Sequence, residues 1–424
     1  MIGRPENRGQ DSDHPIIRSS DHLKLFIIAG EASGDQLGAA VLNSITHLSP
    51  LSVDVRGIGG PLMATAGLKE SLFPMTDLSV MGIAEVLPRL PQLFKRSNQT
   101  VTAIIEFQPD IVLTIDSPDF CFRVQKKVRQ NRYSGLARVP QTVSEGPPGQ
   151  ARGPVSPITQ LHIVAPSVWA WRPGRAAKIA QFLDGLLCLF PFEPPYFERY
   201  GLRAGVMGHP VIHQISPRHP NAPLGHILRL GLYLGSRAGV IQRHAPVMVG
   251  ALKKLNLDPA DTRIIIPTFD HLRPLLTLHL ADLAYPYEFV TEPEARRAVM
   301  SSLDAALAVS GTVGLELAVA GVPHVVGYRM NMMTYILARI LVKRNQRAHL
   351  ANIILDQDIV PELLQAACTP STLAAALSPL LRDTPDRAAQ IGAFDNLRAA
   401  LGAGDPVSPG DKAARFILGF AELV

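Results

Sequence analysis

The sequence has few cysteines and no long apolar run, and both absences narrow what the chain can be. Its 424 residues include only Cys121, Cys188 and Cys368, without a CxxC spacing, which excludes a disulfide framework and the common zinc sites. No stretch of about 18 uncharged apolar residues occurs, and the first 22 residues lack the apolar segment of a signal peptide. We therefore expect a protein of the reducing cytoplasm that neither crosses a membrane nor is exported.

Several catalytic signatures are also missing. The 13 histidines show no HExxH or other metal-ligand spacing, no GxSxG elbow is present, and no GxGxxG opens a helix after a strand. The chain has no Gly-Lys pair, which excludes a Walker-type phosphate loop. These absences exclude the familiar zinc-protease, hydrolase and dinucleotide-binding sites.

The composition suits a globular α/β protein with more than one domain. Apolar residues make up 47% and charged residues 18%, and the 33 glycines and 36 prolines imply many connections between short elements. A chain of this length usually forms two or three domains. The net charge of +5 favours acidic partners such as nucleotide phosphates, anionic lipid headgroups or nucleic acid, with a merely basic surface as the alternative.

Apolar strands alternate with helices along the chain, which predicts a parallel, doubly wound sheet in each of two halves. The first strand is followed by a helix predicted at residues 36–48, and similar strand–helix units recur along the chain. The strands predicted for the first half are residues 24–29, 110–115, 160–165, 185–190 and 204–207. Those predicted for the second half are residues 227–234, 263–266, 287–290, 305–309 and 324–327. We expect two Rossmann-like domains that face a cleft.

Polar and Pro-rich segments set the predicted domain limits. The segment ISPRHPNAPL indicates a boundary, so we expect one Rossmann-like domain over residues 22–222 and a second over residues 223–405. Residues 1–21 are predicted to be a flexible tail, and residues 134–157, rich in Gly, Pro, Ser and Gln, a flexible insertion. Residues 406–424 are predicted to form a C-terminal helix that packs back on the first domain.

Polar residues just after the strands of the first half are site candidates, because ligands of open α/β sheets bind beyond the carboxyl ends of the strands. In GEASGD, Glu31 lies among glycines at a helix N-terminus, where its carboxylate can accept hydrogen bonds from sugar hydroxyls. The alternative is that Ser33 or Asp35 merely caps the helix. In DSPDF, Asp116 can act as a general base on an attacking hydroxyl, whereas Asp119 suits a helix cap.

A glycine turn in the second half suits a diphosphate. The segment GLYLGSRAG ends a strand on a turn that presents backbone amides, Ser236 and the guanidinium of Arg237. A GSR tripeptide is common, so an ordinary surface arginine is the alternative.

The segment SGTVGLELAVAGVP is the strongest indication of a nucleotide site. Ser310, Gly311 and Thr312 follow a strand and begin a helix, where amides and hydroxyls suit a phosphate. Glu316 lies one turn into that helix and can reach ribose hydroxyls. The alternative is that Glu316 is an ordinary solvated helix residue.

Three further features have open interpretations. Basic residues border apolar ones in residues 81–96 and again in residues 328–347, which suits adsorption to anionic lipid. Amphipathic helices that face the core are the alternative for each stretch. His209, in MGHP, follows a strand and either lines the cleft or packs within a turn.

Taken in order, these segments resemble those of the lipid-A-disaccharide synthases, from about Leu25 to the C-terminal helix. The motifs that carry the resemblance are IAGEASGD, MGIAEVL, DSPDF, PSVWAWRPGRAAKIA, LFPFEPPYFERYG, GHPV, GSR, SGTVGLELAVAGVPHVVGYR and NIILDQDIVPELLQ. SVWAWR is especially particular, because it contains both tryptophans of the chain.

The resemblance implies a GT-B fold and an inverting glycosyltransferase of lipid A biosynthesis. Such an enzyme joins UDP-2,3-diacylglucosamine to 2,3-diacylglucosamine 1-phosphate in a β-1,6 linkage and releases UDP. The resemblance implies no metal, no cofactor and no nucleic acid partner. It also implies a peripheral protein on the anionic cytoplasmic face of the inner membrane, because both substrates carry acyl chains.

The resemblance also distributes roles among the candidate residues. It implies Asp116 as the base on the acceptor hydroxyl and Glu31 beside the acceptor. The residues expected on the UDP-sugar are Ser236, Arg237, Ser310, Gly311, Thr312, Glu316 and Asn352. The residues expected on the acceptor side or in the cleft are Ser33, Trp169, Trp171, Arg172 and His209.

Two departures from the family pattern and two rival functions accompany this interpretation. The acid that usually follows GSR is absent, because Gly239, Val240 and Ile241 stand there, and residues 134–157 are inserted.

One rival function is that of another UDP-N-acetylglucosamine transferase or epimerase of the same fold, against which SVWAWR argues. The other is a UDP-binding membrane adaptor without activity, in which Asp116 and Glu31 would have no purpose.

Overall fold

A computed structural model of the chain describes residues 22–78, 83–136, 158–171, 174–218, 224–330 and 347–421, without the side chains of residues 83–89, 132–136 and 170–171. The predicted tail, residues 137–157 of the predicted insertion, and Arg172 therefore lie outside the described residues. So do the side chain of Trp171 and most of the second basic and apolar stretch.

The first half forms a six-stranded parallel sheet in the order β2-β1-β3-β4-β5-β6. Its strands are β1 His22–Ala29, β2 Ser52–Ile58, β3 Ile111–Ile115, β4 Thr159–Ile163, β5 Gly185–Cys188 and β6 Arg203–Val206. Its helices are α1 Ala32–Leu48, α2 Pro61–Thr65, α3 Ile83–Phe107, α4 Pro118–Leu136, α5 Val168–Trp171, α6 Gly174–Ile179, α7 Pro195–Glu198 and α8 Val211–Gln214. The apolar run of β3 is buried throughout, as a strand covered on both faces requires.

The second half forms another six-stranded parallel sheet, in the order β12-β11-β10-β7-β8-β9. Its strands are β7 Leu228–Tyr233, β8 Thr262–Pro267, β9 Tyr287–Val290, β10 Ala305–Val309, β11 His324–Tyr328 and β12 Glu362–Leu364. Its helices are α9 Ala238–Leu255, α10 Arg273–Leu280, α11 Pro293–Ala298, α12 Thr312–Val319, α13 Leu350–Leu355, α14 Pro370–Leu377, α15 Pro385–Ala400 and α16 Pro409–Leu418. Short 3₁₀ turns are Met75–Asp77, Asp270–Leu272, Val299–Ser302, Gln365–Ala367 and Ser378–Leu381.

The strand order reverses once in each sheet, which confirms the doubly wound prediction. The reversal lies between β1 and β3 in the first sheet and between β7 and β10 in the second. Ligands of such folds bind beyond the carboxyl ends of the strands that flank this reversal. Glu31 and Asp116 come just after the first pair of strands, and Ser236 and Ser310 just after the second. Both candidate sites therefore begin where the fold itself forms a crevice.

Helix α16 packs against the first sheet although it ends the described chain. Its apolar residues Ala413, Ile417 and Leu418 belong to the same buried cluster as Ile27 of β1 and Val41 of α1. This packing joins the end of the chain to its first βα unit. None of the helices in the described ranges combines the length and the apolar character that crossing a bilayer requires.

Some element ends are shifted, as in α1, which begins at Ala32 rather than at residue 36. Beyond such shifts, the structure differs from the sequence-based expectation at three places. Helix α4 continues to Leu136, so the first residues of the segment that we predicted to be a flexible insertion are helical. Strands β2 and β12 were not predicted, and both lie at sheet edges. The outer part of β2 alternates between exposed and half-buried residues, because an edge strand is covered less than a central one.

Candidate functional site

Asp116 and Ser117 form a strained turn at the end of β3. Both residues have left-handed backbone angles, with φ values of 54° and 44°, which non-glycine residues seldom adopt. The Asp116 side chain supports the turn, because its Oδ1 accepts a hydrogen bond of 2.8 Å from the Ser117 amide. The Asp116 amide in turn donates to the Ile163 carbonyl of β4. The turn holds the carboxylate of Asp116 at the carboxyl edge of the sheet.

Glu31 faces the same edge and responds to the charge of Asp116. It is the N-cap residue of α1, directly after β1. Burial raises the pKa of the Glu31 carboxyl, and the negative charge of Asp116 raises that pKa further. The two turns approach closely, since a Cβ on Gly30 would lie 2.3 Å from Ser117 Oγ. The structure thus brings together the two carboxylates that the sequence placed at this edge.

The neighbouring polar residues divide between exposed and structural positions. Ser33 is exposed in the first turn of α1. Asp35 is buried and accepts hydrogen bonds from the Gly60, Leu62 and Met63 amides, so it caps α2 rather than its own helix. Asp35 therefore holds the loop after β2 against α1.

Asp119 lies on the surface, away from any such network. Its side chain is 96% exposed and forms an ion pair with Arg175. Because Pro118 is the first residue of α4, Asp119 is the second residue of the helix and does not occupy the cap position that we predicted for it.

A cavity of about 510 Å³ lies at the reversal point of the second sheet and collects the predicted nucleotide residues. Six of the seven line it, and only Asn352 does not. They are Ser236, Arg237, Ser310, Gly311, Thr312 and Glu316. Helix α12 begins at Thr312, so the amides of its first turn lie at the wall of this cavity, where they favour an anion.

The charges of this cavity suit a diphosphate beside a hydroxyl-bearing group. Its described lining contains the guanidiniums of Arg237, Arg296 and Arg297 and the single carboxylate of Glu316. Burial raises the pKa of Glu316, whereas Arg297 and Arg296 lower it. The cations offer charge-assisted hydrogen bonds to phosphate oxygens, and the carboxylate accepts from hydroxyls.

Three buried polar atoms of the cavity wall have no hydrogen-bond partner among the described residues. They are Tyr233 Oη, Thr268 Oγ1 and Arg296 Nε. Burial raises the pKa of the Tyr233 phenol, and Glu316 raises it further, so this hydroxyl stays protonated and able to donate. Buried polar groups in folded proteins nearly always have partners. These groups can therefore hydrogen-bond a polar ligand in the cavity.

Sequence reasoning missed several of these residues although a signal for them was present. Thr268 directly follows β8, and Arg296 and Arg297 lie in α11, the helix after β9. Both strands continue the sheet beside β7, so the rule that identified Ser310 applies to them as well. Arg296 also lies 4.2 Å over the ring of Phe269, which orients its guanidinium along the cavity.

Two of the predicted acceptor-side residues lie in an aromatic cluster between the sheets. The Trp169 and Phe192 rings are 5.4 Å apart, and the His209 ring stacks on Phe190 at 5.4 Å. Burial lowers the pKa of His209 to about 4, so the imidazole is neutral at neutral pH. Its Nδ1 accepts from the Val211 amide. Their contact with an acceptor stays a prediction.

Asn352 is buried away from the cavity, and its amide is fully used. Its Nδ2 donates to the Val360 carbonyl and to Glu362, each at 2.8 Å. Its Oδ1 accepts from the Ile359 and Val360 amides. Because an amide offers two donors and two acceptor positions, no polar atom of Asn352 remains for a nucleotide. The described geometry assigns it the role of holding the loop between α13 and β12.

Asn352→Ala is expected to lower the stability of the protein rather than its affinity for UDP. Each buried partner left unsatisfied costs about 1–3 kcal/mol, so we expect a loss of at least about 2 kcal/mol in urea unfolding. The UDP dissociation constant, measured by calorimetry on folded protein, should change less than about threefold. A loss of UDP affinity of tenfold or more at unchanged stability would instead make Asn352 a nucleotide ligand.

Two buried histidines form a hydrogen-bonded pair beneath α12. His324 Nδ1 donates to the Val322 carbonyl, and His349 Nδ1 accepts from the Ala351 amide. The two Nε2 atoms are 3.0 Å apart, so His349 donates to His324 and both rings are neutral. Gly314 of α12 permits this packing, because a Cβ there would lie 2.5 Å from His349 Nε2. The pair supports the helix that begins the nucleotide cavity.

This pair predicts a stability that falls with acid. Burial lowers the pKa of His324 to about 4 and that of His349 well below its usual value. Between about pH 6.5 and pH 4 the unfolded state therefore binds more protons, and the free energy of unfolding decreases as the pH falls. His349→Asn keeps an N-cap acceptor but removes the imidazole. We expect the unfolding free energy of His349→Asn to fall less steeply with decreasing pH than that of the wild type, with slopes that differ by up to about 1.4 kcal/mol per pH unit. Equal slopes for the two proteins, measured by urea unfolding at each pH, would contradict the assignment.

The described residues contain no group of three or more His, Cys, Asp or Glu side chains arranged to hold a metal ion. The chemistry that these residues offer consists of carboxylates at the first sheet and of amides, hydroxyls and guanidiniums at the second. Such groups suit proton transfer from a hydroxyl on one side and binding of a phosphorylated leaving group on the other.

Comparison with protein families finds one matching model, described as lipid-A-disaccharide synthetase, over residues 25–136 and 151–402. The interval between the matched ranges falls inside the predicted insertion. Among curated proteins, the lipid-A-disaccharide synthase of Rhodospirillum centenum is 40% identical over 405 residues, which cover 93% of this chain and 94% of the relative. That of Ruegeria pomeroyi is 37% identical and covers 95% of this chain and 96% of the relative.

Solved structures with a similar fold include sugar-nucleotide enzymes. The glycotransferase of kitacinnamycin matches with a TM-score of 0.58 at 16% identity and covers 94% of this chain and 98% of that one. A UDP-N-acetylglucosamine 2-epimerase, described as putative, from Listeria monocytogenes matches with a TM-score of 0.55 at 14% identity and covers 95% and 96%. At these identities the likeness concerns the fold alone, and it confirms the predicted GT-B architecture of two parallel α/β sheets.

Proposed function

The chain belongs to the lipid-A-disaccharide synthase family, and from this premise we propose how its two sites divide the reaction. It is a glycosyltransferase of lipid A biosynthesis. We propose that it joins UDP-2,3-diacylglucosamine to 2,3-diacylglucosamine 1-phosphate in a β-1,6 linkage and releases UDP. The observation that carries the division of roles is the placement of carboxylates at the first sheet and of a cationic cavity at the second.

At the first sheet, Asp116 is proposed to be the base on the acceptor. Its carboxylate accepts the proton of the 6-hydroxyl while the oxygen forms a bond to C1 of the donor sugar. The bond from C1 to the diphosphate breaks on the opposite face, which inverts the configuration. Glu31 is proposed to accept hydrogen bonds from acceptor hydroxyls. The strained turn at Asp116 supports this role, because strain is concentrated at functional sites.

At the second sheet, the cavity is proposed to hold UDP. The N-terminal amides of α12, Ser310 and Thr312 suit the diphosphate, and Arg237 suits the charge that develops on the leaving oxygen. Glu316 is proposed to accept from the ribose hydroxyls. Tyr233 and Thr268 supply further groups for the nucleotide, because their buried hydroxyls have no partner within the described chain.

Peripheral docking on the anionic cytoplasmic face of the inner membrane is proposed for the acyl chains of both substrates. Phe94 belongs to the first basic and apolar stretch and lies in α3. It is 48% exposed, and the Arg123 guanidinium lies 4.3 Å from the centroid of its ring. A cation beside an exposed apolar ring suits an anionic lipid surface. Most of the second stretch lies outside the described residues.

The two rival functions receive less support. A UDP-N-acetylglucosamine epimerase would share the fold, but the epimerase neighbour is 14% identical, whereas the synthases reach 40% over nearly the whole chain. A non-catalytic UDP-binding adaptor would account for the cavity but not for the two carboxylates and the strained turn of the first sheet.

The proposed reaction is tested with purified protein and both acylated sugars. We expect release of UDP and, by mass spectrometry, a disaccharide monophosphate with a β-1,6 linkage by nuclear magnetic resonance. Protein that is folded by circular dichroism and yet forms no such product would contradict the proposal. Inversion of a UDP-sugar at C2 without transfer would favour the epimerase.

A further inference from the structure

Glu193 is a buried carboxyl that the proposed reaction does not use. It lies between β5 and α7, in the segment FPFEPPYFERYG, and is 3% exposed. Its Oε1 accepts from Trp169 Nε1 at 3.3 Å, and its Oε2 accepts from the Phe190 amide at 3.1 Å. The Leu189 amide also donates to it. The carboxyl therefore joins the SVWAWR segment to the end of β5.

Trp169 stands at one end of a column of aromatic rings. Its ring meets Phe192 edge-on at 5.4 Å, and Phe192 stacks on Phe190 at 5.7 Å with 7° between the ring planes. His209 also stacks on Phe190, with the ring centroids 5.4 Å apart. Phe190 and Phe192 are neighbours of Glu193 in the chain, so the carboxyl and the column form one packed unit.

The far end of this column packs into the second sheet. Phe190 belongs to the buried cluster that also contains Tyr233 and Met300, and both of these residues line the nucleotide cavity. The packed rings on one side therefore fix the position of Trp169 relative to the cavity wall. The hydrogen bond to Glu193 fixes the polar edge of the indole.

We propose that Glu193 is a positioning residue for the acceptor side of the reaction. It holds the Trp169 indole at one end of the aromatic column, and the other end of the column packs against the wall of the nucleotide cavity. The proposal rests on the proposed function, in which Trp169 lies on the acceptor side. Burial of a carboxyl is costly, and apolar residues of similar volume often stabilise a core equally well. A carboxyl at this position is therefore explained by orientation of the indole rather than by stability.

The protonation state of Glu193 supplies a specific readout. Burial raises its pKa to about 7, and the ionised form accepts stronger hydrogen bonds from the indole and amide donors than the neutral form does. Among nearby titratable groups, Cys188 feels the charges of Glu193 and Glu198, and His209 stacks on Phe190, whose amide donates to Glu193. Burial raises the pKa of Cys188 far above neutrality and lowers that of His209 to about 4, so neither changes charge near pH 7.

The first test follows the indole directly. Trp171→Phe leaves Trp169 as the single tryptophan, because the chain contains two. We expect the indole emission of this full-length protein to change with a midpoint near pH 7, as the raised pKa of Glu193 requires. Glu193→Gln in the same background should abolish the change. Glu198→Gln is the matched control, since it makes the same chemical change at an exposed carboxyl near Cys188, and it should leave the change in emission in place.

The second test is kinetic and uses the otherwise unaltered protein. Above pH 8 we expect Glu193→Gln to lower kcat/KM for the acceptor about tenfold, the effect of weakening one charged hydrogen bond, with the KM of the UDP-sugar changed less than about twofold. The wild-type value should rise through the same midpoint, and that of Glu193→Gln should be flat with pH. Glu198→Gln should follow the wild type.

Two results would overturn the proposal. One is an indole emission that does not titrate between pH 6 and pH 8.5, or that titrates identically in Glu193→Gln. The other is a Glu193→Gln protein with wild-type acceptor kinetics at every pH. If the wild-type protein formed no disaccharide while the indole still titrated through Glu193, the proposed function would fail and the positioning of Trp169 would stand. The emission test on the Trp171→Phe protein does not depend on the folding of Glu193→Gln.

Discussion

Asp116→Asn is expected to reduce turnover by about 100- to 10,000-fold, the usual contribution of a general base, while the UDP dissociation constant changes less than about twofold. Asparagine cannot accept the acceptor proton, so the attacking oxygen would remain a poor nucleophile. The fold should survive, because asparagine tolerates left-handed backbone angles and its side-chain oxygen can still accept from the Ser117 amide. Steady-state kinetics with both substrates and calorimetry with UDP measure the two quantities.

Asp119→Asn is the matched control for this prediction. It makes the same chemical change three residues later, at a side chain that is 96% exposed and paired only with Arg175 among the contacts described for it. Surface ion pairs contribute little to stability, so turnover should stay near that of the wild type. The assignment of Asp116 as base would be wrong if both variants retained full turnover, or if both lost it to the same degree.

Glu316→Ala is expected to weaken UDP binding by about 10- to 100-fold, the effect of losing a hydrogen bond to a charged acceptor. In the wild-type protein the Glu316 carboxylate lies in the cavity beside Arg296 and Arg297. There it is proposed to accept hydrogen bonds from the ribose hydroxyls, which alanine cannot do. Turnover at saturating donor should fall much less, because the proton transfer takes place at the other sheet. Calorimetry with UDP and kinetics at varied donor concentration separate the two effects.

Two further variants sharpen the prediction for Glu316. Glu316→Gln keeps an acceptor without the charge and should bind UDP more tightly than Glu316→Ala. Glu294→Ala removes an exposed carboxylate from α11, the helix that carries Arg296 and Arg297, at a position that does not line the cavity. It should bind UDP as the wild type does. Unchanged UDP affinity in Glu316→Ala would remove this residue from the nucleotide site.

The central strands were predictable from sequence because burial on both faces leaves a continuous apolar run. Strand β10, which is buried at every residue, begins and ends where that pattern predicts. The bounds of β9 were also predicted, although β9 lies at the edge of its sheet and its residues are exposed or half-buried. The edge strands β2 and β12 were not, since the outer part of β2 alternates in exposure and β12 has only three residues. Edge strands need less apolar surface, so the signal of β2 and β12 is weak in the sequence.

Site residues that directly follow a strand could be predicted from the sequence. Those whose position depends on the packing of helices and side chains could not. The residues after β7 and β10 were identified and meet in one cavity. Arg296 was not identified although its helix follows β9, because the sequence does not show that the packing of α11 beside Phe269 brings this side chain to the cavity. Asn352 was placed on the nucleotide by resemblance, but the structure shows four hydrogen bonds that hold a loop. Sequence spacing does not reveal which polar groups are already satisfied.

A crystal structure of the protein with UDP tests the central claim most directly. The account predicts the diphosphate at the N-terminus of α12, within hydrogen-bond distance of Ser310 or Thr312 and of Arg237. It predicts the ribose hydroxyls on Glu316. UDP bound outside the cavity at the reversal point of the second sheet, or bound there with its ribose turned away from Glu316, would contradict it.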